Sequence, residues 1–443
     1  MNNKIDYEKW FQNAINEKKF EALEFLINED KNLTISLENN KIYEKTKSEL
    51  ISTIIKGLYK NKKSSIYLEK IDDNMLDKIL KILKKQIKVS HFDSQDYIFK
   101  GNISDYPIIE NQNFNFEKIE SQKKHNILFE LYKKISKNHL CKKIEMISYS
   151  ETHSKKKIIN SKGLNLESEE NFVTIYITCI FEKNNQIEEI SEYFIVKKFE
   201  NLNIEEYANQ IIEKGEKKIG ATSIQSGSYC TVFSNKTFAK LLKSFSSVFS
   251  GLNAYRNLTK FKNKINKKIA SSKVTIIDDP TKSSAFFQYS FDDEGIPSKK
   301  KIIVEKGIFK QFIHNLKTAH IFKTIPTGNS FNNQIKMSNC YLKRGIKNFD
   351  EMISPIKKGI LIDNLIGLHA GINNITGDFS IQAEGFKIEK GKITKPIKMI
   401  VVSGNFFDIL SRLKEISNDF LFDISGFGSS SVYIGKLSIA GEK

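Results

Sequence analysis

Two rhythms of apolar residues run along this chain, and they predict a mixture of helices and strands. Trp10, Phe11, Ala14, Ala22, Leu23 and Phe25 recur near helical spacing, which predicts an amphipathic helix over Tyr7–Asn28. Asn32–Lys45 alternates instead, with Leu33, Ile35 and Leu37 on one face and Asn39-Asn40 placed to close a hairpin. Short strands follow at Ser52–Leu58 and Ser65–Leu68. A helix capped by Asp72-Asp73 then aligns Met75, Leu76, Ile79, Leu80, Leu83 and Ile87. Residues 91–115 are irregular and polar, and read as a connector. Beyond them come a helix over Phe116–Lys137 and strands at 144–150, 156–160, 171–181 and 189–196. A further helix, capped by Asn203, runs to Gly220.

Turn residues then multiply. Of the 22 glycines only six precede Ser228, and of the six prolines only Pro107 does. Lys306-Gly307 and Lys390-Gly391 each separate two alternating runs, as hairpin turns do. Helices at Asn235–Phe249 and Asn405–Ile416 interrupt these strands, and Ser431–Ile439 reads as the last strand. The fold class expected is α+β: N-terminal helices on antiparallel sheet, then a mostly β, glycine-rich C-terminal domain with antiparallel sheets and two helices. The domains expected are 1–90, a connector at 91–115, 116–227 and 228–443. A chain of 443 residues is too long for a single core.

Composition narrows the function classes. No apolar run approaches the ~20 residues of a membrane span, and residues 1–19 are polar, unlike a signal peptide. Cys141, Cys179, Cys230 and Cys340 are scattered, so a cytoplasmic chain with reduced thiols is expected. The net charge of +18 suggests an anionic partner. Against that, the lysines are spread throughout and only three arginines occur, so nucleic-acid binding is a minor expectation. The runs Lys155–Lys157 and Lys299–Lys301 read as solvated strand ends.

Candidate chemistry concentrates in residues 367–386. Gly367, His369, Gly371, Gly377 and Asp378 are the candidate binding residues, on a loop between two strands. A glycine-rich turn without a ligand explains the same pattern. Asp278-Asp279-Pro280 and Asp292-Asp293-Glu294-Gly295 offer carboxylates for a cation or for acid/base work, but Asx turns beside Pro and Gly account for them. His91, Asp93 and Asp96 form only a weak metal pattern. His314 and His320 read as surface or half-buried imidazoles. There is no GxSxG elbow, no phosphate-binding GxxxxGK[ST] loop and no pair of histidines four apart beside a Glu.

Several of these segments occur in an order that resembles the TldD/PmbA family: Asp278-Asp279-Pro280, Phe291–Gly295, Thr327-Gly328-Asn329, Asn339–Gly345, His369-Ala370-Gly371, Thr376–Ser380, Ala383–Phe386, Gly404–Phe407 and Asn418-Asp419. The resemblance covers about half the chain, from Val274 to Gly441. It implies a cytoplasmic metallopeptidase system, also labelled a modulator of DNA gyrase, that takes unfolded peptides and trims peptide-antibiotic precursors or antitoxins. It also implies two kinds of subunit. The TldD kind carries HExxxH on an early helix of the C-terminal domain and a later cysteine, which together hold zinc. Here the corresponding helix, 238–249, has neither His nor Glu, and Gly426–Ser431 has no Cys. The resemblance is therefore to the PmbA (TldE) kind, with no metal or catalytic residue of its own expected. Zinc is expected only in a TldD-type partner, within a heterodimer or higher assembly. Self-association, an independent hydrolase and a gyrase- or DNA-associated modulator remain the alternatives.

Overall fold

The computed structural model describes residues 5–89, 95–101, 105–110 and 114–442. The chain divides into two compact units, one of Met1–Asn102 with Glu110–Ile219 and one of Ile103–Ile109 with Gly220–Lys443.

The first unit is built on one six-stranded antiparallel sheet. Its strands are β1 (Ala22–Glu38), β2 (Lys41–Tyr59), β3 (Lys62–Leu68), β4 (Cys141–Asn160), β5 (Asn165–Lys183) and β6 (Gln186–Val196), in the order β3-β2-β1-β4-β5-β6. Residues 1–90 and 116–227, separated on sequence grounds, each contribute three strands to it. What joins them is the pairing of β1 with β4 from Glu24↔Asn160 to Leu37↔Ile147, a contact no local pattern announces.

Four helices pack on this sheet: α1 (Tyr7–Gln12), α2 (Leu76–Val89), α3 (Ser121–Ile135) and α4 (Ile204–Lys218). The helix expected over 7–28 stops early. Trp10 and Ala14 stay in a helical turn, but Leu23, Phe25 and Ile27 follow the two-residue period of a strand and share one face. That face carries two separate cores. Phe25 and Ile55 meet α1 and α2, whereas Ile35, Tyr149 and Ile175 meet α3 and α4. The Asn39-Asn40 turn has both residues at positive φ, as a tight hairpin requires.

The second unit has two sheets around a buried helix. One contains β7 (Gly227–Phe233), β14 (Lys358–Ile366), β15 (Asp378–Glu389), β16 (Lys392–Asn405), β17 (Glu415–Ile416) and β20 (Val432–Ala440). Its order is β16-β15-β14-β7-β20-β17, and β16 also pairs with β20, which closes a barrel. At Gly385 the barrel backbones approach so closely that a Cβ would lie 1.8 Å from the Leu361 carbonyl oxygen. The other sheet contains β8 (Ile276–Asp278), β9 (Lys301–Glu305), β10 (Ile308–Phe309), β13 (Cys340–Leu342), β18 (Leu421–Phe422) and β19 (Phe427–Ser429), in the order β10-β9-β8-β13-β19-β18. A small hairpin of β11 (Ser330–Phe331) and β12 (Gln334–Ile335) stands apart.

The sheets are not wholly antiparallel, because β14 runs parallel to β7 and β13 to β19. Helix α5 (Asn235–Phe245), N-capped by Ser234, buries Phe238, Leu241, Leu242 and Phe245 in a core that takes residues from both sheets. The shorter helices are α6 (Gly251–Tyr255), α7 (Leu316–Ile321), α8 (Phe349–Ile353) and α9 (Phe406–Arg412). The Asn235 and Asn405 helices were legible in the sequence. The five- and six-residue ones were not, being too short to show a period.

Candidate functional site

The five candidate binding residues all lie on the β14–β15 connection or at the start of β15. Gly367, at φ +77°, opens a turn in which Ala370 N–H donates to the Gly367 carbonyl at 3.0 Å. His369 lies within that turn and is exposed. The Asn373 side chain accepts from Ile375 N–H and Thr376 N–H at 3.0 and 3.1 Å, an Asx turn. Gly377 sits at φ +84°, and a Cβ there would lie 2.5 Å from the Phe407 ring. Asn405 donates both to the Thr376 carbonyl (2.9 Å) and to the Asp378 carboxylate (2.8 Å). That contact, with Thr376 and Lys260 adding to it, holds Asp378 below the usual carboxylate range. Lys260 donates to the Thr376 carbonyl at 2.9 Å and its ammonium lies 5.1 Å from the Phe407 ring centroid.

The glycines and Asp378 thus build the loop itself. His369, Gly367 and Asp378 are exposed, and of these His369 is the side chain with no part in building the turn. Gly371 is enclosed, since a Cβ there would lie 2.5 Å from the Ser380 carbonyl oxygen. Lys260 and Asn405 are part of this site and were missed, because nothing local marks residues that act 116 and 29 positions away on the Thr376 carbonyl.

The carboxylate clusters serve as anchors of a buried polar network. Asp278 accepts from Ser338 N–H (2.8 Å), Ser338 Oγ (2.9 Å) and Asn329 Nδ2 (2.8 Å), and pairs with Lys301 at 3.1 Å. Lys301 also donates to the Thr327 carbonyl at 2.9 Å. It is 7% exposed, so the end of the Lys299–Lys301 run is a buried counter-ion and not a solvated strand end. The alternation of β9 turns it inward, toward a carboxylate that sequence proximity does not indicate.

Asp292 accepts from Glu294 N–H, Ile296 N–H and Ser330 N–H. Burial, with the Glu294 carboxylate beside it, still pushes its pKa up to about 7. The turn reading of these acids is correct locally, but their burial was not visible. His314, expected to be a surface or half-buried imidazole, is 6% exposed beneath Gly251, and desolvation lowers its pKa to about 4. His320 is exposed. His91 and Asp93 lie outside the described residues, while Asp96 accepts from Lys63 N–H at 3.1 Å.

The two segments that would supply zinc ligands in a metal-binding relative do come together here. Helix α5 packs against β19, and Asn235 N–H donates to Ser431 Oγ at 3.1 Å. Ser431 in turn donates to Asp419 at 2.6 Å, and Asn235 Nδ2 donates to the Asp419 carbonyl at 2.7 Å. Around this seam α5 offers apolar side chains, lysines and Ser244, and the glycine-rich segment offers Ser429, Ser430 and Ser431. Zinc takes thiolate, imidazole or carboxylate donors, at least three from the protein, and Asp419, itself hydrogen-bonded by Ser431, is the one such group among the described residues at this seam, so the set does not fit it. Among the described residues no group of three His, Cys, Asp or Glu side chains could hold a metal ion.

Two outcomes test the network. Lys301→Met should destabilise the chain by about 3–5 kcal/mol in chemical denaturation, because it strands a buried carboxylate; a loss below ~1 kcal/mol contradicts the pairing. The pH dependence has two opposing parts. The depressed His314 makes the fold lose stability as pH falls from about 6.5 toward about 4. The raised Asp292 stabilises the fold most below its unfolded pKa of 3.8, and that contribution is lost as pH rises through about 7. Between pH 4 and 6.5, His314→Gln should therefore leave stability falling with pH, and Asp292→Asn should leave it rising. Parallel slopes for the two variants contradict this assignment.

Comparison with known proteins bears on this geometry. The PmbA/TldA metallopeptidase central-domain model matches residues 114–219, and the C-terminal-domain model matches residues 226–441. A metalloprotease of Methanocaldococcus jannaschii is 26% identical over 425 residues, spanning 92% of this chain and 93% of that protein. A metalloprotease PmbA homologue of Buchnera aphidicola is 28% identical over 244 residues, 55% of this chain and 53% of its own. Among solved structures, a protein from Thermotoga maritima described as a modulator of DNA gyrase superposes with TM-score 0.89 at 26% identity. It covers 98% of this chain and 100% of its own. TldE from Thermococcus kodakarensis shares the fold, with TM-score 0.85 at 21% identity, and covers 98% and 100% of the two chains.

Proposed function

Because the chain belongs to the PmbA/TldD metallopeptidase family, we propose that it is a PmbA-like subunit that holds no metal and works in complex with a TldD-type partner on unfolded peptides. One observation carries this reading. The helix and glycine-rich segment that would frame a zinc site are packed together, yet the side chains they bring are apolar, lysine, serine, Asn235 and Thr237, with no imidazole, thiolate or carboxylate among them. A hydrolase that activates water on zinc needs three protein ligands and an open position. In this reading the partner supplies that centre, and this chain supplies a rigid barrel presenting the 367–378 loop to the partner or to an extended peptide. Proteins named for both subunit types are among its relatives. No helix among the described residues is long and apolar enough to cross a membrane, in keeping with a peptide substrate met in solution.

The loop's role depends on its exposed members. Gly371 is a poor probe, because a side chain there strains the loop itself. His369, exposed beside it, is the better one. Co-expression with a TldD-type subunit should yield a complex that cleaves unfolded peptides, while either chain alone is inactive. His369→Ala should leave the isolated fold intact and weaken assembly or cleavage by about tenfold, the scale of one lost interfacial contact. Activity of the partner that is indifferent to this chain would refute the subunit reading.

A further inference from the structure

The first unit carries a charged trough that its fold does not require. On one face of its sheet, helices α1 and α2 cover the strands around Phe25 and Ile55, and α3 and α4 cover them around Ile35 and Tyr149. Between these layers, Glu29, Lys31 and Leu33 of β1 share that face with their neighbours on β2, β4 and β5. The register places Glu49, Lys31, His153 and Asn171 in one row across the strands. The next row holds Glu29, Lys155 and Glu169. From Ile27 to Ile35 the interval is eight residues, or roughly 26 Å at ~3.3 Å each.

Two cavities lie along this band. One, of about 830 Å³, is bounded by Lys31, His153 and Asn171 and by the first turn of α3. The other, of about 1040 Å³, is bounded by Glu29, Lys155, Lys157 and Glu167.

The chemistry of the band selects its occupant. Its charges are of both signs and pair with one another, Lys31 with Glu49 at 3.4 Å and Glu167 with both Lys157 at 2.9 Å and Lys155 at 3.5 Å, while the His153 imidazole lies 2.9 Å from the Glu169 carboxylate. These side chains are about a third to a half exposed. Such pairs contribute little to stability, so exchanging one partner for a ligand's charge costs little. The floor of the first cavity is set by a buried pair, Lys124 with Glu151 at 2.5 Å, in which Glu151 also accepts from Tyr149 Oη at 2.6 Å. Asn171 lines this cavity, and its buried Oδ1 has no hydrogen-bond partner, so rotation of the amide would present an acceptor to an N–H group. A single-sign track would suit a polyanion. A band of both signs, wide enough for an extended chain and carrying a spare acceptor, suits a polypeptide.

We propose that this trough binds an extended polypeptide segment carrying both signs of charge. The proposal rests on the peptide-handling reading above and gives it a holding site in the N-terminal unit. The test uses the full chain alone and fluorescence anisotropy of a labelled peptide of about 12 residues, long enough to cross the sheet at ~3.3 Å per residue. That peptide carries Lys and Glu in alternation, spaced by Ser; the control is a Gly/Ser peptide of equal length.

The charged peptide should bind at least about tenfold tighter than the control, and lose most of that advantage on raising salt from about 0.05 M to about 0.5 M. Combined Lys155→Ala and Lys157→Ala should weaken it about fivefold or more, with an unchanged circular dichroism spectrum. Lys183→Ala, at the β5–β6 turn, should leave it unchanged. Equal binding of the two peptides, indifference to the Lys155/Lys157 change, or displacement by an oligothymidylate at lower concentration than by unlabelled peptide would overturn the proposal. The assay needs neither partner nor hydrolysis. It can therefore fail while co-expressed activity stands, or succeed while that activity is absent.

Discussion

The burial of helix α5 between the closed barrel and the second sheet is the constraint on which the C-terminal unit depends. Phe238, Leu241, Leu242 and Phe245 insert into one core, where Phe245 stacks on Phe406 with ring centroids 4.6 Å apart. Large side chains in such a core are each worth a few kcal/mol, and none can become polar without a partner to satisfy it. The same packing brings the helix against the glycine-rich strand before β20. A helix that served as a zinc platform would have to turn imidazoles and a carboxylate toward this seam. This one turns apolar groups inward and lysines outward.

A second layer of order comes from the buried acids. Asp278 gathers Ser338, Asn329 and Lys301, and Asp292 gathers three backbone N–H groups, so loops far apart in sequence are fixed to each other. Buried charge of this kind contributes little net stability when intact and costs much when one partner is removed. Its effect here is to specify one arrangement of the connections between β8, β9 and β13. The exposed turn containing His369 is held separately, by Leu368 and Ile372 packed on the core and by Ser380 N–H donating to the Gly371 carbonyl.

Much of the architecture was legible in the residues. Period-two runs marked the strands, Lys306-Gly307, Lys390-Gly391 and Asn39-Asn40 marked hairpins, and Asn203 and Asn405 marked helix starts; in each case the signal is local. Less visible was anything set by long-range pairing. The pairing of β1 with β4 runs one sheet through residues of two expected domains, and it rests on a register between residues more than a hundred positions apart. Lys301 read as a solvated strand end and His314 as a surface or half-buried imidazole, because composition cannot say which side of a short strand or turn faces inward. In the candidate loop, the glycines and Asp378 were found from their density, but their part in building the loop emerged only with Asn405, Lys260 and Phe407 around them. The charged trough escaped notice for the same reason, since its rows are written across four strands and not along any one of them.

At the centre stands a chemical claim: the seam between α5 and Ser429–Ser431 offers zinc one carboxylate, Asp419, already hydrogen-bonded by Ser431, and neither imidazole nor thiolate, so it does not hold the ion. Metal analysis of the isolated, full-length protein, purified without chelators and then dialysed against zinc, tests it most directly. The expected result is a zinc content far below one ion per chain before and after dialysis. One tightly held zinc per chain, lost when Ser431 or α5 is altered, would contradict it.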